Sequence, residues 1–186
     1  MSEESELKFC SACGALLEIK IPEGDTRERH VCTKCGQIHY ENPHNIVGTV
    51  PVYNGKVLLC RRAIDPCFGK WNLPAGHQEM KEGTMAGALR ETKEEAGAEL
   101  KNVCPFMLLD VPFASGTHIY FIGDVVNPDC KPGPETLEQR FFSEEEIPWD
   151  KIAFNSVKRA LRCYFSDLKK GSIGFHYEIK EKPGKE

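Results

Sequence analysis

The eight residues "RETKEEAG", Arg90 to Gly97, constrain this chain more than any other stretch. Side chains three and four positions apart share a helix face, so Glu91, Glu94 and Glu95 meet there, and like charges at that spacing mildly destabilise a helix. A solvated surface accounts for an isolated pair of glutamates. Three carboxylates beside an arginine, behind a long loop rich in Gly and Pro, need something that offsets their repulsion. The helix itself is well signalled. Thr84 is placed to cap its start and Gly97 to end it, while Met85, Ala88, Leu89 and Ala96 supply an apolar side.

The elements around that helix read as a mixed α/β domain. Asn54-Gly55 between two β-rich runs is a two-residue hairpin signal, and Pro51 predicts that the first of those strands is an edge strand or is bulged. The segment "AIDPCFGKWNLPAGHQEMKEG" is a loop long enough to be functional. Strands are predicted around "VCPFMLLDV", "HIYFIGDVV" and "LEQRFF", with Ser115-Gly116 in a connection. In "NSVKRALRCYFSDLKKG", residues Val157, Ala160, Leu161, Tyr164, Phe165 and Leu168 make an amphipathic stripe that reads as core. Asn155 or Ser156 can cap this second helix and Gly171 stops it. The polar tail after it is expected to fray, with Phe175 and Tyr177 free to dock.

Four of the nine cysteines form two tight pairs, "CSAC" (Cys10, Cys13) and "CTKC" (Cys32, Cys35), and each second cysteine precedes a glycine. Four thiolates match the tetrahedral preference of zinc and leave no open position, so the predicted site is structural. A redox reading lacks the neighbouring βαβ pattern. His30 or His39 could replace one cysteine as ligand. The other five cysteines, Cys60, Cys67, Cys104, Cys130 and Cys163, read as small, mostly buried hydrophobes. The acidic start, with no export signal, places the expected location in the cytoplasm, and no apolar run has membrane-spanning length. Residues 1–40 show no basic stripe with interleaved aromatics, so nucleic acid is not the expected partner. The boundaries read from these shifts are an acidic lead at 1–9, a zinc ribbon at 10–40, the main domain at 45–171 and the tail at 172–186.

Gly76, Glu82, Arg90-Glu91, Glu94-Glu95 and Gly97 are spaced as G-x5-E-x7-R-E-x-x-E-E-x-G. This resembles the signature of the Nudix hydrolases. Thr92 departs from its aliphatic position and Ala98 is small for its place. The resemblance implies an α/β/α sandwich around a mixed sheet. It implies that Glu91, Glu94 and Glu95, helped by the Gly76 carbonyl, bind magnesium or manganese or position the attacking water. Glu94 is then a catalytic residue, and Arg90 orients the constellation with Glu82. A further acid from a later loop is expected at Glu135, with Glu138 as its rival. Hard divalent cations favour such oxygens, and binding one relieves the like-charge repulsion.

Zinc ribbon plus Nudix domain is similar to two groups. One is the NADH pyrophosphatases, which also remove NAD caps from RNA. The other is the plastid-type FAD and ADP-ribose pyrophosphatases and their bacterial relatives. The stretches "HVCTKCGQIHYENPHNIVGTVPV", "KPGPETLEQRFFSEEEIP" and "SDLKKGSIGFHY" are similar to the second group. This implies a metal-dependent enzyme that cuts FAD to FMN and AMP, or ADP-ribose to AMP and ribose 5-phosphate. NADH hydrolysis or RNA decapping is the enzymatic alternative, and a nucleotide-sensing or nucleic-acid-binding scaffold the non-enzymatic one. Resemblance to the first group implies that Tyr40 and His77 stack on the substrate's base across a homodimer interface. The other reading of Tyr40 is packing between ribbon and Nudix domain.

Overall fold

The structure, a computed structural model, describes residues 7–182. It divides into two compact units between Asn42 and Pro43. Most of the predicted acidic lead lies outside the described residues. In the first unit, β1 (Leu17–Lys20), β2 (Arg29–Cys32) and β3 (Ile38–His39) form an antiparallel sheet in that order. Its apolar core is minimal. Among its described hydrophobic residues Cys10, Val31 and Cys32 are buried, while Phe9, Leu16, Ile19 and Ile21 are exposed.

The second unit is built on one mixed sheet. Strand β4 (His44–Tyr53) turns through Asn54-Gly55, both at positive φ, into β5 (Lys56–Arg62). The predicted loop then contains two short strands, β6 (Trp71–Asn72) and β7 (Ala75–His77). Helix α1 (Thr84–Ala96) leads to β8 (Leu100–Val111), β9 (Gly116–Val125) and β10 (Thr136–Phe142). Helix α2 (Asn155–Lys170) and β11 (His176–Ile179) complete the unit. The strand order is β10-β5-β4-β9-β8-β11, with β6 on β5 and β7 on β4. Ladders β4–β9 and β8–β11 are parallel and the others antiparallel.

The two-residue period of strands explains how both faces are covered. Val50, Val57, Leu59, Tyr120 and Ile122 point to one face and pack with Val157, Ala160, Leu161, Tyr164 and Phe165 of α2. Leu58 and Cys60 join Ala96 of α1, and Val47 and Phe121 join Ala88. The result is the expected α/β/α sandwich.

Several local expectations are corrected. Thr84 is the first helical residue, and Gly83 holds the N-cap position without a side-chain bond. Neither Asn155 nor Ser156 caps α2; the N-cap is Phe154, again without one. Met85 is exposed, and the buried side of α1 is made of Gly87, Ala88, Thr92, Glu95 and Ala96. Pro51 lies in a central strand, not an edge. Thr49 N–H donates to Pro74 O, and the missing N–H of Pro51, two residues on, points to the same side. There β7 has ended at Gly48 and β5 begins only at Val52, so no ladder bond is lost. The tail is ordered through Ile179, because β11 pairs with the outer side of β8 and Tyr177 Oη donates to Asp110 Oδ2 at 2.9 Å. Of the five scattered cysteines only Cys60 is buried, and Cys104 on β8 is exposed.

Candidate active site and metal centre

The four cysteines converge. Their ligand atoms all lie within 4.8 Å of one another. Sγ of Cys13 is 3.4 Å from that of Cys32 and 3.6 Å from that of Cys35, and Cys10 Sγ is 3.7 Å from Cys35 Sγ. Zinc–sulfur bonds of about 2.3 Å in a tetrahedron put sulfurs about 3.8 Å apart, so the set fits the ion. The backbone N–H groups of Cys35 and Lys34 point at Cys32 Sγ from 3.4 Å, and they hold its thiol down at about 6. A thiolate is the form that binds metal. His39 Nε2 sits 3.4 Å from Cys10 Sγ, so it acts on a cysteine instead of replacing one.

In the second unit the signature residues converge around Arg90. Its Nη2 and Nε grip the two Glu82 oxygens at 2.9 and 3.2 Å. Its Nη1 bridges Glu91 Oε1 at 2.7 Å and Glu94 Oε2 at 2.9 Å, and Nη2 also reaches the His77 carbonyl at 3.2 Å. Glu82 accepts a further N–H from Glu79, and its carboxyl is held below the usual range by Arg90 first. One guanidinium thus ties the loop from His77 to Glu82 to the acidic face of α1. A Cβ on Gly76 would fall on the Glu91 carboxyl, so a side chain there would push that carboxyl out of its place.

The carboxylates open onto a cleft of about 800 Å³ lined by Gly76, His77, Glu91, Glu94, Glu95 and Glu135, among others. Glu95 is only 8 % exposed and accepts Ala75 N–H at 3.2 Å. Burial pushes its carboxyl up to about 7, and burial also raises Glu91. Glu138 is turned away in an ion pair with Arg61. Glu135 is carried by a loop docked on the end of α1. Gly133 N–H donates to Glu95 O at 3.0 Å, and a Cβ on Gly133 or Gly97 would strike backbone oxygen. The glutamate oxygens do not gather as closely as the sulfurs: among the described residues, the four-cysteine set alone brings three or more such donor atoms within 4.8 Å. Oxygen donors of this kind suit a hard divalent cation.

Thr92, the departure from the aliphatic pattern, is fully buried with its Oγ1 2.6 Å from Thr49 Oγ1 on β4, and it donates to Ala88 O at 2.7 Å. A second polar residue therefore matches the first.

A Nudix domain model matches residues 42–162, and a model of the Nudix N-terminal zinc ribbon matches residues 8–41. The chain belongs to the Nudix family. A crystal structure of a Nudix hydrolase from Nitrosomonas europaea is 44 % identical, with a TM-score of 0.89 over 95 % of this chain and 100 % of that one. The NAD-capped RNA hydrolase NudC of Chromobacterium violaceum is 27 % identical over 83 % of this Nudix chain. The ADP-ribose pyrophosphatase of Methanocaldococcus jannaschii is 32 % identical over 64 % of it. The chain spans 57 % of the length of the first of these two relatives and 72 % of the second.

The cleft of this Nudix domain also contains residues that the sequence reading missed: Arg62, Ile64, Asn72, His118, Phe154 and Ser156. They come from β5, the loop after it, β6, β9 and the start of α2, so no local spacing announces them. Tyr40 belongs to the first unit, is 61 % exposed, and carries the Arg29 guanidinium over its ring at 5.2 Å. His77 is exposed at the cleft with its ring edge-on to His44. Among the described residues no helix is long and apolar enough to cross a membrane.

Proposed function

We infer that this chain is a metal-dependent pyrophosphatase that cuts the diphosphate of an adenine dinucleotide, with ADP-ribose or FAD as the leading substrates. The observation that carries this reading is the convergence of Glu91, Glu94, Glu95 and Glu135 on one cleft, beside a glycine whose missing side chain leaves room for the Glu91 carboxyl. The names of the relatives support it. Glu91, Glu95, Glu135 and the Gly76 carbonyl would hold magnesium or manganese, which supplies charge neutralisation and Lewis-acid activation to a diphosphate. Glu94, exposed at the rim, positions the attacking water. Arg90 and Glu82 keep the glutamates aimed, a positional contribution to catalysis. Four thiolates leave no open coordination position, so zinc in the first unit serves structure.

The test is product analysis with magnesium against FAD, ADP-ribose, NADH, diadenosine polyphosphates and oxidised nucleoside triphosphates. AMP with ribose 5-phosphate or FMN supports the reading, and inertness toward every dinucleotide sinks it. NADH or NAD-capped RNA as preferred substrate is the second reading, favoured by the ribbon and by the name of the Chromobacterium relative.

The exposed Tyr40 ring and His77 are proposed to stack on the substrate's base in a cytoplasmic homodimer. Such stacking is worth roughly 1–3 kcal/mol per base in single-strand complexes. Tyr40→Ala should then raise KM more than it lowers thermal stability. A monomer in sedimentation with unchanged KM assigns Tyr40 to packing.

A further inference from the structure

Within the same cleft, one wall is made by neither the signature loop nor the glutamates. Helix α2 begins at Asn155 with no side-chain cap and no acidic residue in its first turn. Its N-cap residue Phe154 and its second residue Ser156 line the cleft. A helix of 16 residues presents unsatisfied N–H groups and partial positive charge at that end. Arg62 stands beside it. The Arg62 guanidinium lies over the Phe154 ring at 5.4 Å, and its Nε is spent on Pro66 O at 2.8 Å. Among the described residues no carboxylate lies within ion-pair distance of Arg62, although its charge acts on the Glu95 carboxyl in the same cleft. Its two terminal nitrogens are thus free for an anion, in the planar fork that suits phosphate.

Asn72 supplies the independent observation. It is 3 % exposed, it lines the cleft, and its Oδ1 is buried without a hydrogen-bond partner. A buried acceptor left unpaired is costly, so a group that donates to it has a standing gain. Asn72 is held next to the helix start. Trp71 bridges Ile152, and Ala153 N–H donates to Trp71 O at 2.8 Å. Cationic donors and an orphaned acceptor, side by side, match a phosphate carrying a nearby hydroxyl.

We propose that Arg62, the uncapped start of α2 and Asn72 form a subsite for a sugar phosphate: the half of the substrate that leaves as ribose 5-phosphate from ADP-ribose, or the ribityl phosphate part of the FMN that leaves from FAD. The phosphate lies against the helix start and the Arg62 fork, and a polyol hydroxyl donates to Asn72 Oδ1. The glutamate wall faces the diphosphate bridge, and this wall selects what is attached to it. The assignment deepens the pyrophosphatase reading and rests on it for the identity of the ligand.

Binding without turnover tests it. Ribose 5-phosphate and inorganic phosphate are titrated into the full chain without magnesium, by calorimetry and by the fluorescence of Trp71 beside the subsite. Arg62→Gln should weaken both ligands by about tenfold or more, as expected for a charge-assisted bond. Asn72→Leu should weaken ribose 5-phosphate and leave inorganic phosphate within about twofold. Arg62→Lys should recover part of the phosphate affinity, which a merely misfolded Arg62→Gln protein would not explain. The subsite is refuted if the unmodified chain fails to bind ribose 5-phosphate at millimolar concentration, or if both variants bind it as the parent does. If those variants bind normally while the parent hydrolyses ADP-ribose, the subsite falls and the pyrophosphatase stands. If binding depends on Arg62 and Asn72 while no dinucleotide is hydrolysed, the reverse holds.

Discussion

The two candidate metal centres of this chain are opposites. In the first unit four sulfurs stand within 4.8 Å of one another around a point that little apolar core supports. In the second, the glutamates line a cleft of about 800 Å³, and an arginine bridges two of them. Soft, closed coordination substitutes for a core. Hard, open coordination, as proposed for the second, would leave room for substrate oxygens, and Arg90 holds the like charges of Glu91 and Glu94 in place. One centre is built for the ion and the other for the reaction.

The comparison breaks most visibly if zinc is not structural. Structural zinc contributes about 10–16 kcal/mol of apparent binding free energy in small ribbon-like peptides. Cys32→Ser should therefore unfold much of residues 10–40, seen as rapid proteolysis confined to that span, with less zinc by metal analysis. Disulfides in place of zinc in cytosolic protein would contradict the assignment.

Next in size is Glu95→Gln. It should lower turnover by about 10²-fold or more, because it takes a charged oxygen from a metal centre worth several kcal/mol to the transition state, with the circular dichroism spectrum unchanged. Near-normal turnover would remove Glu95 from the centre.

The same residue gives a pH signature. Burial raises its carboxyl to about 7, so the buried neutral form stabilises the fold below the ordinary carboxylate range near 4.5 and that contribution is lost as pH rises through about 7. In chelator, the parent should lose up to about 3 kcal/mol relative to Glu95→Gln over that interval. Equal pH dependence of the two melting curves would contradict the burial argument.

The smallest expected effect probes the departure at Thr92. Thr92→Val strands the buried Thr49 hydroxyl and should cost about 1–3 kcal/mol, whereas the double change Thr49→Val with Thr92→Val should be nearly neutral. Additive losses in denaturant melts would show that the two hydroxyls do not act as a pair.

What the sequence disclosed follows the range of the interactions. The helix ends at Gly97 and Gly171, the Asn54-Gly55 turn and the cysteine knuckles are set within a few residues, and each was legible. The helix starts were misread because Thr84 and Asn155 carry capping side chains that form no cap. Pro51 was misread because the gap between β7 and β5 is a property of the sheet, not of the strand. Strand β11 was missed although Phe175, Tyr177 and Ile179 alternate with His176, Glu178 and Lys180, because the run is short and exposed and the outer side of β8 supplies its pairing. The glutamates were found by spacing. The wall of Arg62, Asn72 and Phe154 was not, since β5, β6 and α2 meet there only after folding.

The contrast between the centres is tested most directly by a single chelation experiment on the intact chain. Protein dialysed against a mild chelator is assayed for zinc content and for ADP-ribose and FAD hydrolysis, before and after magnesium or manganese is added back. The account predicts one zinc retained per chain, hydrolysis abolished by dialysis, and full recovery with either hard cation. Hydrolysis that persists without added cation, or that zinc alone restores, would contradict it.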